Sequence, residues 1–228
     1  MDIEKKLLSM QDLGYKEFHK KLMPTISEDV IIGIRTPVLR AFAKEISGTK
    51  EAEDFIGSLP HKYYEENNLH AFLLEQIKDF DAAVNKCEEF LPYIDNWATC
   101  DCFLPRIFKK NTDRLAAYIK KWICSDKPYV IRYAIGLLMS LYLDDNFKPE
   151  YPDMVAGVKS DEYYVKMMQA WYFATALAKQ RDSVIEYLTE KKLDVWVHNK
   201  AIQKAVESRR ITDKEYLKTL KITGRNNK

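Results

Sequence analysis

Apolar side chains recur along this chain at helical intervals, and prolines, glycines and cap-forming residues cut the recurrence into short segments. From Ile3 through Leu7, Leu8, Leu13 and Phe18 to Leu22, with a break at Gly14, the rhythm predicts an opening helix or pair of helices. Pro24 ends it and Gly33 supplies a flexible turn. Thr36-Pro37 then reads as an N-cap followed by proline at the first helical position, opening a helix to about Ile46. A short helix is predicted over 51–58, a long amphipathic one over 63–80, and a shorter one over 81–90 that Pro92 closes. Asp95 or Asn96 can cap a helix reaching Phe108, bent or split at Pro105. Further helices are expected over 112–124, 128–143, 149–157, 161–179, 181–190, 194–208 and 213–220, about a dozen in all, before a polar tail, TGRNNK, that should fray.

Composition agrees with this pattern. Seven glycines and eight prolines in 228 residues are few, and 46% hydrophobic content is ample for an extended core, so the expected class is all-α. The 36 basic and 34 acidic residues leave a formal charge of +2, so any basic surface must be local. The N-terminal MDIEKKLLSM lacks the apolar core of a secretory signal, and the longest nearly apolar run, Ile135 to Leu143, is too short to span a bilayer. A cytoplasmic protein is expected, with Cys87, Cys100, Cys102 and Cys124 as reduced thiols. No paired C-x-x-C or clustered His suggests a metal site, and no glycine-rich phosphate loop suggests a nucleotide cofactor. His70 and His198 lie in helical contexts without ligand spacing and read as structural, and Tyr63, Tyr64, Tyr163 and Tyr164 read as seams between helices, although one could stack on a sugar.

A repeat orders these helices. Aligning YVIRYAIGLLM (129–139), YYVKMMQAWYF (163–173) and VHNKAIQKAVE (197–207) puts Arg132, Lys166 and Lys200 in register at intervals of 34. One step back from Arg132 falls on Ala98. Each unit is one longer helix plus a shorter partner, which must stack on its neighbours to bury its apolar face, and that predicts an α-solenoid with a concave surface. The column of cations fits a phosphate backbone, but its stems could equally cover apolar surface. Arg35, beside the start of the Pro37 helix, is open to the same two readings, as phosphate contact or solvated arginine, and Arg40 lies close by.

The sharpest chemistry lies in DNWATCD, 95–101, where Trp97 and Asp101 stand four residues apart and would share one helix face. An indole beside a carboxylate can hold a cationic or cation-forming substrate; it can also be a core anchor beside a helix cap.

Taken together, GIRTPVLRAFAKE (33–45), DNWATCD, YVIRYAIGLLM and VHNKAIQKAVES resemble the bacterial DNA alkylation repair family, the HEAT-like-repeat DNA glycosylases, over nearly the whole chain. The resemblance implies one HEAT-like α-solenoid domain over residues 1–228, a curved superhelix that cradles double-stranded, alkylated DNA in a concave groove. It further implies hydrolysis of the N-glycosidic bond of cationic N3- or N7-alkylated purines. Trp97 and Asp101 match its W-x-x-x-D pair, Trp171 its second tryptophan and Arg132 its backbone-facing arginine, giving Trp97, Asp101 and Trp171 as the catalytic set. Arg132, Lys166, Lys200, Arg35 and Arg40 are then the DNA-binding candidates, with no metal or cofactor and a monomer expected. A catalytically silent DNA-binding relative and a protein-binding helical scaffold are the alternatives.

Overall fold

In the computed structural model, whose described residues are 1–223, every regular element is helical. Most of the expected tail, from Gly224 onward, lies outside the described residues. The chain divides into two compact units, 1–111 and 112–228.

The first unit holds α1 (Ile3–Ser9), α2 (Leu13–His19), α3 (Thr36–Ile46), α4 (Lys50–Ile56), α5 (Tyr64–Leu74), α6 (Phe80–Phe90) and α7 (Trp97–Cys102). The opening segment is therefore a pair, with Asp2 and Asp12 as side-chain caps. α3 starts one residue earlier than predicted, so Pro37 lies within its first turn behind Arg35 at the cap position.

Two expectations fail at α5. The run 63–80 is not one helix, because the Asp79 carboxylate accepts the Ala82 N–H and starts α6 afresh. Nor is α5 amphipathic: all eleven residues are buried, with α1, α3, α4, α6 and α7 packed around it. Three of its polar side chains, Glu65, Glu66 and Asn68, are satisfied by hydrogen bonds. The Glu66 carboxylate accepts the Lys62 and Tyr63 N–H groups, and Asn68 Oδ1 accepts the Thr99 hydroxyl. Glu65 Oε1 and Oε2 accept the N–H groups of Gly33 (2.7 Å), Ile34 (3.2 Å) and Ile32 (2.8 Å).

That bracket explains the GIRTP segment. Gly33 has φ +94°, and a Cβ there would lie 2.5 Å from Lys16 Cβ and 2.9 Å from Lys16 Cα, so only glycine lets the strand-like segment pass α2. The Gly33 carbonyl accepts the Asp12 N–H, and Arg35 returns to the Asp12 carboxylate at 2.8 Å.

The second unit holds α8 (Thr112–Trp122), α9 (Pro128–Leu141), α10 (Glu150–Gly157), α11 (Tyr163–Lys179), α12 (Arg181–Val184), α13 (Glu186–Thr189), α14 (Val195–Glu207) and α15 (Lys214–Thr219). The predicted 181–190 helix is thus two short turns. α11 packs between α9 and α14, the three helices that carry the 34-residue register, while α8 and α15 pack outside them on α9 and α14. The period reappears in polar bonds: Tyr187 with Asp153 and Thr112 with Asn146 are both 34 residues apart.

Candidate functional site

In the first unit, α7 is short because Pro105 cannot continue it, and a 3-10 turn, Arg106–Lys110, follows. Pro105 therefore splits the predicted 95–108 helix. Its start is fixed from the core: Asn96 accepts the Thr99 N–H at 2.8 Å, Asn96 Nδ2 donates to Asp95 and to Thr99 Oγ1, and Thr99 Oγ1 donates to Asn68 of α5 at 2.8 Å. Asn96 and Thr99 are fully buried. This chain of bonds sets the rotation of α7 about its own axis. Trp97 is consequently half-buried against Met23, Ile31 and Tyr64, with its indole N–H donating to the Leu22 carbonyl at 3.3 Å, while Asp101 is exposed one turn on. Trp97 thus packs on the core and still presents surface, with a solvent-facing carboxylate one helical turn on.

Of the neighbouring thiols, Cys100 is buried, and burial pushes the Cys102 thiol up to about 12, with Glu75 and Asp101 raising it and Arg40 opposing. Cys102 therefore stays protonated at neutral pH and is no nucleophile.

Arg35 and Arg40 both have internal partners. Arg35 pairs with Asp12 and lies 5.1 Å from the Tyr15 ring centroid. Arg40 makes a two-pronged bond to Glu75, donates to the Cys102 carbonyl at 3.0 Å and lies 3.8 Å over the Phe72 ring. Since Glu75 Oε1 also accepts the Leu104 N–H, this group clamps α3, α5 and the end of α7 together.

In the second unit, Arg132 and Trp171 come together. Arg132 of α9 is 3% exposed and donates to the Tyr164 carbonyl at 2.6 Å. Its guanidinium carbon lies 5.9 Å from the centroids of both the Tyr164 and the Trp171 rings, within cation–π range. Little of it is left on the surface for a phosphate. Lys166 and Lys200 line one cleft of about 500 Å³ with Trp196. Lys166 pairs with Asp161 at 3.3 Å and reaches Asp194 at 3.9 Å, whereas Lys200 donates to the neutral Gln203 at 2.9 Å.

Tyr163 packs across helices onto Trp196 of α14 at 5.7 Å, as a seam residue does, yet is 56% exposed, and Trp196 itself carried no expectation. The sequence did hold a signal for both: Tyr129 and Tyr163 are spaced by the same 34 residues as Arg132 and Lys166, and Trp196 falls one residue short of the next step. Glu65 was equally silent, since nothing in EENN shows which carboxylate turns inward. Among the described residues no group of three or more His, Cys, Asp or Glu side chains is placed to hold a metal ion, and no helix is long and apolar enough to cross a membrane.

These features define an all-helical protein that presents a carboxylate beside an indole in one unit and an arginine-backed indole with a lysine-lined cleft in the other. The chain belongs to the DNA alkylation repair enzyme family, whose model matches residues 3–207. Among curated proteins none matches its sequence.

Proposed function

We propose that this protein is a DNA glycosylase that binds duplex DNA in the concave groove of a HEAT-like α-solenoid and hydrolyses the N-glycosidic bond of N3- or N7-alkylated purines. The observation that carries the reading is the solvent-facing Asp101, set one turn from Trp97 on a helix whose cap is bonded into the core. The stacking of the equivalent helices α9, α11 and α14 supports the solenoid.

An N-alkylated purine already carries positive charge and leaves as a neutral base, so no general acid is needed to protonate it. As the bond from the sugar C1′ to the base nitrogen breaks, its electron pair goes to the base and the sugar gains oxocarbenium character. The ionised Asp101 carboxylate stabilises that cation and orients the water whose oxygen bonds to C1′ as one of its O–H bonds breaks and the proton passes to the carboxylate and on to solvent. The indole face of Trp97 attracts the cationic nucleotide and excludes solvent, and the Trp171 indole offers the same kind of attraction within the second unit. Arg132, buried on Trp171, acts as a positioning group for that indole, and phosphate contacts fall to Lys166 and Lys200.

A second reading, a protein-binding helical scaffold, is favoured by one observation: Arg35, Arg40 and Lys166 are already paired with Asp12, Glu75 and Asp161, which lowers the charge offered to phosphates. Two measurements on the same alkylated duplex separate the readings. The glycosylase releases 7-methylguanine or 3-methyladenine and binds with an affinity that falls steeply with salt. The scaffold does neither, and a silent DNA-binding relative shows only the salt-sensitive binding.

A further inference from the structure

The starts of α9, α11 and α14 carry a row of aromatic rings that the excision chemistry does not use. Tyr129 lies 5.8 Å from Tyr164, Tyr164 lies 5.3 Å from Tyr163, and Tyr163 lies 5.7 Å from Trp196, centroid to centroid. Cations follow the row: Arg132 lies 5.9 Å from the Tyr164 ring and Lys200 5.4 Å from the Trp196 ring. The row ends in the cleft of about 500 Å³ lined by Lys166, Trp196, Asn199, Lys200 and Lys221.

Three observations mark the Tyr163 end as a binding surface. Tyr163 is 56% exposed and Val195, adjacent to Trp196 in the chain, is 54% exposed, so two large apolar side chains are left open to solvent. Tyr163 meets Trp196 at 69° and Tyr164 at 80°, edge to face, an arrangement that does not stack the rings on one another. The acid at the cleft rim, Asp194, is engaged by the Trp196 and Val197 N–H groups as the cap of α14, and the three lysines of the cleft, Lys166, Lys200 and Lys221, outnumber it.

We propose that this surface binds single-stranded nucleic acid: an unpaired base stacks on Tyr163 against the Trp196 wall, while the flanking phosphates meet Lys200 and Lys221 and compete with Asp161 for Lys166. Ring faces can be met only by a base that is itself unstacked, which a continuous duplex does not offer. An acidic peptide would use the lysines and leave the rings idle. The site shares Lys166 and Lys200 with the duplex reading above, but its stacking residues stand apart from the excision set.

The test uses the full chain and fluorescence anisotropy with a labelled oligothymidylate, an abasic strand of equal length and charge, and an oligoglutamate. The thymidylate is expected to bind on the order of tenfold tighter than the abasic strand. Tyr163→Ala should abolish that preference and Tyr163→Phe should keep it, with circular dichroism confirming that each variant folds. Trp196→Ala should also weaken the preference. Equal affinity for the thymidylate and abasic strands overturns the proposal, as does a preference that survives both alanine variants or tighter binding of the oligoglutamate. The preference is read without excision, so a wild-type protein that releases no base refutes the glycosylase reading and leaves this one standing. Loss of the preference in an active glycosylase does the reverse.

Discussion

Removing the Glu65 side chain tests the architecture on which α7 depends. Glu65→Ala leaves the N–H groups of Ile32, Gly33 and Ile34 without their acceptor in a segment where all three residues are buried. An orphaned buried donor costs about 1–3 kcal/mol, so three in the lower half of that range give a loss of about 4 kcal/mol. Glu65→Gln should cost about 1–2 kcal/mol, because an amide oxygen can serve Gly33 and Ile34 while its NH2 group faces the Ile32 N–H. Burial raises the Glu65 pKa more than its three backbone bonds lower it. For a carboxyl raised in the folded state, the favourable contribution is complete below the ordinary carboxylate pKa and is lost as pH rises through the folded value. The gap between wild type and the glutamine variant should therefore narrow as pH rises. Urea unfolding measures the cost, and hydrogen exchange at Ile32, Gly33 and Ile34 locates it. An alanine cost below about 1 kcal/mol, or glutamine as harmful as alanine, would refute the bracket as a source of stability.

Other substitutions separate buried from exposed interactions. Gly33→Ala meets the α2 backbone at a positive φ and should lose more than about 2 kcal/mol, read as a lowered Tm. Arg40→Ala strands the 6%-exposed Glu75 side chain and should cost about 3 kcal/mol by chemical denaturation, whereas Arg35→Ala, which removes an exposed pair, should stay within about 1 kcal/mol. His61 Nε2 and His70 Nδ1 lie 2.8 Å apart, and burial holds His61 down to about 4 and His70 down to about 3. The folded chain thus binds fewer protons than the unfolded chain below the ordinary histidine value of 6.5; stability is full above it and falls as pH drops toward 4, by about 1.4 kcal/mol per pH unit for one excluded proton. Denaturation midpoints between pH 7 and 4 read that slope, which His70→Phe should flatten.

Much of the fold was legible because caps and breakers are local. Pro37 and Pro105 act through fixed backbone angles and ring sterics, whereas the Asp79 cap went unread, and the 34-residue register of Arg132, Lys166 and Lys200 does mark three helices that pack in sequence. What the pattern could not show was the reversal at α5, where polar residues point into the core, because their partners lie about 30 residues away, as Glu65 does from Ile32 to Ile34 and Asn68 from Thr99. The same distance hid the roles of the arginines. The sequence made Arg40, near a helix start, and Arg132, in the repeat register, equal to Lys200 as cations, and only packing turned Arg40 into a clamp and Arg132 into a support for Trp171. Gly33, Arg35 and Arg40 of the GIRTPVLRAFAKE segment are accounted for by the passage beside α2, the Asp12 pair and the Glu75 clamp, so that motif marks the fold more than the chemistry.

Excision of cationic purines by Asp101 is read by single-turnover release of 7-methylguanine from alkylated duplex DNA by wild type and Asp101→Asn. Asp101 is exposed, so the variant should fold and bind the duplex as wild type does, and release should slow on the order of 100-fold or more through loss of electrostatic stabilisation. Equal rates in the two proteins, or no release by wild type, would contradict the account.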